Sequence, residues 1–141
     1  MSTTYLHLPP ESTGFFNSLP ESPSRVVVIV EAPVTPAWQH AVSRWLVERG
    51  CLYMMAWGLR CSSWDDSLDM ANLEMFDFEP IPEERFVMTT WHENETLQEV
   101  FWYAKNLGHH PMVEIEKTVL LHVSVQPREA ELLAAYAACP E

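Results

Sequence analysis

The chain has 141 residues, of which 48% are hydrophobic and 20% are charged, and its net charge is −12. These proportions are typical of one globular domain and exclude a disordered chain, a collagen, a coiled coil and a small disulfide scaffold. The acidic balance argues against nucleic acids and anionic membranes as partners, because both bind proteins through Lys and Arg side chains.

The first 24 residues are rich in Pro, Ser and Thr. We interpret residues 1–24 as an extended N-terminal arm that precedes a single domain of residues 25–141. The arm carries apolar side chains such as Tyr5, Phe15 and Leu19, so parts of it are expected to lie along the domain or on a partner. It lacks the cationic start and the apolar core of a signal peptide.

Four apolar segments of the domain are predicted to be strands: residues 26–30, 51–57, 85–90 and 118–125. The first is the run VVVIV, which has no polar face. Such a run is typical of a strand that is covered on both sides in a parallel sheet.

A helix is predicted after each strand. Thr35 with Pro36 begins the first helix, Ser62 or Ser63 the second, Asn94 the third and Pro127 the fourth. The second helix has an apolar stripe at Trp64, Leu68, Ala71 and Met75, a spacing that places these side chains on one face.

The alternation β-α-β-α-β-α-β-α predicts a three-layer, single-domain α/β fold, with about four mostly parallel strands and helices on both faces. Right-handed crossovers leave two favoured strand orders, 2-1-3-4 (flavodoxin-like) and 3-2-1-4 (Rossmann-like).

The cysteine pattern and the hydropathy predict a cytoplasmic protein. Cys51, Cys61 and Cys139 fit neither a disulfide framework nor the spacing of a zinc site. No apolar stretch reaches the ~18 residues of a membrane-spanning helix.

Ligands of parallel sheets bind near the carboxyl ends of the strands. The residues expected at that edge are Glu31, Trp57, Gly58, Cys61, Trp64, Asp65, Asp66, Trp91, His92, Glu93, Glu95, His122, Ser124 and Gln126. A nucleotide site is not expected there, because the loop of residues 31–36 has two prolines and no glycine to cradle a phosphate.

One interpretation of this edge is a small hydrolase, either metal-dependent or acting by acid–base chemistry, with His92, Glu93 and Asp66 as its catalytic candidates. Their spacing matches no recognised metal signature, so no metal or cofactor is predicted. Asp65 and Asp66 also suit the first turn of a helix, where the dipole favours negative charge. A third interpretation is a small-molecule sensor with an aromatic pocket made by Trp57, Trp64 and Trp91.

The favoured interpretation is a non-enzymatic binding protein, because the acidic residues are concentrated. Residues 64–99 contain eleven acidic residues and one cation, Arg85, a net charge of −10. Such a field steers a basic protein partner, although the same charge could serve solubility alone. The predicted binding residues are Trp64, Asp65, Asp66, Asp69, Trp91, His92, Glu93 and Glu95.

In this interpretation Trp64 or Trp91 anchors the contact, and the acids mimic the phosphate charge that a nuclease-like partner binds. The protein is then similar in composition to immunity proteins and inhibitors that neutralise basic toxins. A homodimer is compatible with this interpretation.

Two segments resemble a pattern found in small uncharacterised bacterial α/β proteins. The first runs from Trp57 through Cys61 to Asp66, and the second joins Phe86–His92 with Glu95–Trp102, His110-Pro111 and Leu121–Ser124. The resemblance covers roughly residues 26–125. It implies a bacterial, cytoplasmic, single-domain protein and attaches no activity to any residue.

Overall fold

The structure, a computed structural model, describes residues 2–141 and contains a five-stranded sheet. The strands are β1 (Ser2–Leu8), β2 (Ser24–Val30), β3 (Cys51–Gly58), β4 (Met88–Trp91) and β5 (Lys117–Val123). The helices are α1 (Pro36–Glu48), α2 (Cys61–Met75), α3 (Leu97–Leu107) and α4 (Glu129–Ala138), with a 3₁₀ turn at Glu83–Arg85. Every paired strand is parallel to its neighbour, and the order is β1-β5-β2-β3-β4.

The predicted three-layer α/β fold is confirmed. Without β1, the order reads β4-β3-β2-β5, which is the Rossmann-like order 3-2-1-4 of the four predicted strands. The odd-numbered side of β2, at Val27 and Ile29, packs in the core below α3 and α4, while Val26, Val28 and Val30 pack in the core below α1 and α2. This burial on both faces explains why the strand has no polar side.

The N-terminal segment differs from its prediction as an arm. Residues 2–8 form β1, which pairs with β5 in continuous register from Ser2–Lys117 to Leu8–Val123. The pairing covers the outer edge of β5 and buries Leu8. The alternation of Tyr5, Leu6, His7 and Leu8 suits an edge strand, and the prolines begin only after it.

Residues 9–23 cross over α1 and pack against it. The Phe15 ring packs edge-on against Trp45, with ring centroids 4.8 Å apart. The indole nitrogens of Trp38 and Trp45 donate hydrogen bonds to the carbonyl oxygens of Ser12 and Phe16 at 2.8 and 2.9 Å. This crossover segment is therefore part of the folded domain.

Three of the four helices begin at residues other than those predicted, and among them α4 begins at Glu129 instead of Pro127. Thr35 caps α1 as expected, accepting from the Trp38 N–H. Thr96, and not Asn94, caps α3, because Thr96 and Glu99 form a reciprocal capping box. Helix α2 starts at Cys61, directly after Arg60 in a left-handed conformation. Within residues 2–141, none of the helices has the length and hydropathy needed to cross a bilayer.

Strand β4 is shorter than predicted and lies at a free edge of the sheet. The Asn72 side chain accepts from the Val87 N–H at 2.9 Å and donates to the Arg85 carbonyl at 3.2 Å. Because Arg85 and Val87 bond to α2 in this way, the pairing with β3 begins only at Met88. Residues 88–91 pair with β3 on one side only.

Candidate functional site

The carboxyl edge of the sheet holds two separate groups of polar side chains. One group lies at β1, β5 and β2, where the chain leaves β2 toward one face of the sheet and leaves β5 toward the other. Such a switch point is the usual ligand position in an open α/β sheet. The other group surrounds β4 and α2.

The first group centres on His122, whose side chain is fully buried in β5. Its Nε2 lies 2.5 Å from Glu31 Oε1, and its Nδ1 lies 2.7 Å from the Tyr5 hydroxyl. Since a carboxylate only accepts, Nε2 carries the hydrogen and Nδ1 accepts from Tyr5. Arg128 donates to the same Glu31 oxygen at 2.6 Å, and its main-chain N–H donates to the Tyr5 hydroxyl at 3.0 Å.

The charges of this His122 cluster follow from its burial and its partners. Burial lowers the pKa of His122, and the neighbouring Glu31 opposes that shift only in part. Burial alone would raise the pKa of Glu31, but the hydrogen bonds from Arg128 and His122 outweigh it and lower that pKa. At neutral pH the imidazole is therefore neutral and the carboxylate is charged.

The His122 cluster holds elements together and offers no free base. Both ring nitrogens are occupied, and the ring has no exposed surface. The cluster joins β1 through Tyr5, and the start of α4 through Arg128, to the centre of the sheet. Glu31 and His122 were expected at this edge, but Tyr5 and Arg128 were missed, because Tyr5 had been assigned to the arm.

We expect acid to weaken this cluster. The pKa values of His122 and Glu31 are both lowered in the folded protein, so the unfolded chain binds more protons and stability falls as the pH drops. The loss begins near the ordinary histidine value of 6.5 and continues through the ordinary glutamate value of 4.5. Thermal melts of the wild type and of His122→Gln between pH 8 and pH 4 measure it.

The variant should lose the part of the pH dependence that lies just below pH 6.5. Comparison of the two proteins cancels the contribution of titrating groups that do not contact His122, and the change at Glu31 falls in a separate, more acidic range. Identical pH profiles for the two proteins would contradict the assigned protonation state of His122.

Trp64 is not an exposed anchor, and the structure corrects that prediction. Only 1% of its surface is exposed, and its ring packs edge-on against Trp38 with centroids 6.4 Å apart. Trp64 lies on the apolar stripe of α2, which faces the sheet. Trp57 packs in the opposite core, against α3, so these two tryptophans cannot line one aromatic pocket.

His92 is also buried, and its ring nitrogens are occupied. Nδ1 lies 3.1 Å from Glu95 Oε2, Nε2 lies 2.9 Å from Thr90 Oγ1, and the ring packs against Tyr103. Among residues 2–141, no hydrogen bond or ion pair joins His92 to Glu93 or Asp66.

The described part of the chain contains no group of three or more His, Cys, Asp or Glu side chains that could hold a metal ion.

Four of the remaining candidates, Asp66, Asp69, Trp91 and Glu93, are exposed on α2 or at the end of β4, at the free edge of the sheet. Trp91 and Phe86 are each 49% exposed, and exposed carboxylates surround them. We call this surface the acidic edge; it comprises Asp66, Asp69, Glu83, Glu84, Phe86, Trp91 and Glu93.

The acidic edge has almost no cations of its own. Of the eleven acids in residues 64–99, only Glu74 and Glu95 make ion pairs within the described chain, the former with His40 and Arg44 and the latter with His92. The guanidinium of Arg85 lies over the Phe76 ring, 5.4 Å from its centre. The carboxylates of the acidic edge are therefore open to an external cation.

Comparison with known proteins identifies a family whose description names no activity. Residues 3–139 match the model of a family described as a domain of unknown function, DUF7684. No curated protein and no solved structure gives a significant match. The matched range includes β1 and the crossover segment, in agreement with their place in the folded domain.

Proposed function

Because this chain belongs to the DUF7684 family, whose description names no activity, we propose a function from its geometry. The protein binds a basic protein partner through the acidic edge and covers the partner's cationic surface. One observation carries this proposal: exposed carboxylates accompany two exposed aromatic side chains at a free sheet edge, where Arg85, the one Lys or Arg of residues 64–99, lies over the Phe76 ring.

The physical roles of the two residue types differ. Carboxylates of one sign attract a basic partner over long range and raise its association rate. Aromatic side chains supply the buried contact area that dominates interface energetics. Trp91 takes the anchoring role, since Trp64 lies in the core.

The expected mode of action is occlusion. Clustered carboxylates can occupy the positions where a cationic surface would hold phosphate groups, because both present negatively charged oxygen acceptors. The protein would then act as an inhibitor or an immunity protein of a basic, nuclease-like partner.

The test neutralises three exposed carboxylates of the acidic edge, in the variant Asp66→Asn/Glu84→Gln/Glu93→Gln. Surface ion pairs contribute about 0.2–1 kcal/mol each, so we expect affinity to fall roughly threefold to a hundredfold, and its salt dependence to flatten. The partner is captured from native cell extract at low salt, identified by mass spectrometry and titrated against each variant.

A matched control removes the same charge elsewhere. Glu21, Glu114 and Glu116 lie at the opposite, amino-terminal end of the sheet and are exposed, so Glu21→Gln/Glu114→Gln/Glu116→Gln should bind nearly as the wild type does. Equal weakening by both triple variants, or retention of no basic protein by the wild type at low salt, would overturn the proposal.

A further inference from the structure

Two carboxylates of α2 face the free strand and share one hydroxyl group. Asp65 and Asp69 are separated by one helical turn, and the Thr89 hydroxyl of β4 donates to Asp69 Oδ1 at 2.7 Å. A hydrogen bond from the same hydroxyl also lowers the pKa of the Asp65 carboxyl group. A hydroxyl has a single hydrogen to donate, so it cannot satisfy both carboxylates.

Asp65 is left incompletely paired. The residue is 6% exposed, and its Oδ1 is buried without a hydrogen-bond partner among residues 2–141. Burying an unpaired carboxylate oxygen is costly. An unsatisfied group of this kind points to a donor that binds from outside the chain.

The local electrostatics agree with this geometry. Burial raises the pKa of Asp65 and of Asp69, the neighbouring carboxylates raise both further, and the Thr89 hydroxyl offsets the rise only in part. A bound cation would relieve the cost of keeping both groups ionised.

The surroundings favour an organic cation over a metal ion. The described residues contain no group of three or more His, Cys, Asp or Glu side chains that could hold a metal ion, whereas an ammonium or a guanidinium group needs only a few oxygen acceptors. The groove beside Asp69 has a volume of about 370 Å³ and is walled by Leu73, Ile81, Phe86, Val87 and Met88. Such walls suit the alkyl stem of a long cationic side chain.

Resting on the proposed function, we propose that Asp65, Asp69 and Thr89 form the receptor for one Lys or Arg side chain of the basic partner. Asp69 and Thr89 line the groove, and Asp65 precedes Asp69 by one turn of α2. Alternation along β4 places Trp91 on the same side of the sheet as Thr89, so the receptor is continuous with the acidic edge.

The test uses single cationic side chains as probes: blocked lysine (N-acetyl-lysine methylamide), blocked arginine, and blocked norleucine as the uncharged control. Carboxyl carbon NMR of the full chain monitors Asp65 and Asp69. We expect a cationic probe, but not norleucine, to lower both carboxyl pKa values. Asp65→Asn should weaken probe binding at least fivefold.

Two further measurements separate this role from a structural one. Because Asp65→Asn removes a buried charge, it should raise the melting temperature of the free protein while binding falls. Asp77→Asn, an exposed change of the same charge in a left-handed position that asparagine tolerates, should leave probe binding unchanged.

The outcomes distinguish the two proposals. If the triple variant of the acidic edge weakens partner binding but Asp65→Asn and Asp69→Asn do not, the receptor is overturned and the proposed function stands. If blocked lysine or arginine binds with the expected sensitivity but no basic partner exists, the receptor stands and the proposed function fails. If Mg²⁺ or K⁺ shifts the two carboxyl groups and neither organic cation does, the site binds a metal ion and the receptor is overturned.

Discussion

Replacing Trp64 with alanine is expected to lower the free energy of unfolding by about 3–5 kcal/mol, the usual cost of truncating a buried tryptophan. The side chain is almost fully buried between α1, α2 and the sheet, and it packs against Trp38. Single domains are stable by only about 5–15 kcal/mol. The variant should therefore unfold at a much lower urea concentration than the wild type.

The matched control is Trp91→Ala, the same substitution at an exposed tryptophan. It should change stability by less than about 1 kcal/mol, because few contacts are lost at a surface position. Under the proposed function it should nevertheless weaken partner binding. A similar loss of stability in the two variants would contradict the assignment of Trp64 to the core and of Trp91 to the surface.

Replacing Arg25 with methionine is the second change expected to have a large effect. Arg25 is buried at the start of β2 and donates to the carbonyl oxygens of Gly108 and Ile115 at 2.9 and 3.2 Å, and to the Thr118 hydroxyl at 3.1 Å. Methionine keeps the length of the stem but leaves these acceptors without their donor. An unsatisfied buried acceptor costs about 1–3 kcal/mol, so we expect the loss of the donor at three acceptors to cost about 3–9 kcal/mol.

We also expect the loss of stability to begin in one segment of the chain. Arg25 ties the segment between α3 and β5 to the sheet, so hydrogen exchange should increase first at residues 108–116. Urea unfolding combined with exchange of backbone amides measures both effects. Wild-type stability in Arg25→Met would mean that water replaces the guanidinium group at these carbonyls.

Much of the sheet could be predicted because each central strand contains a run of apolar residues. Burial on both faces leaves a signal that does not depend on the neighbouring elements, as the run at residues 26–30 illustrates. Strand β1 was missed for the opposite reason. It is a partly exposed edge strand in a segment whose Pro, Ser and Thr content favours irregular structure.

The candidate site was predicted less completely because adjacent residues on one helix have opposite environments. Asp65 is buried and Asp66 is exposed, although both were placed together in a first turn. The spacing of the apolar stripe of α2 places Trp64 on the inner face of the helix, and this explains why the Trp64 side chain is buried. The unpaired state of Asp65 could not be predicted, since it depends on Thr89 of another element.

Strand β5 is inserted between β1 and β2, and this has a consequence for the order of assembly. Strands β1 and β2 are synthesised before β5, yet they are not neighbours in the sheet, because β5 lies between them. The hydrogen bond between Tyr5 and His122 therefore joins residues that are 117 positions apart in the chain, and it cannot form before β5 is made. Contacts of such long sequence separation slow folding. In a nascent chain, the place between β1 and β2 stays empty until β5 has been made.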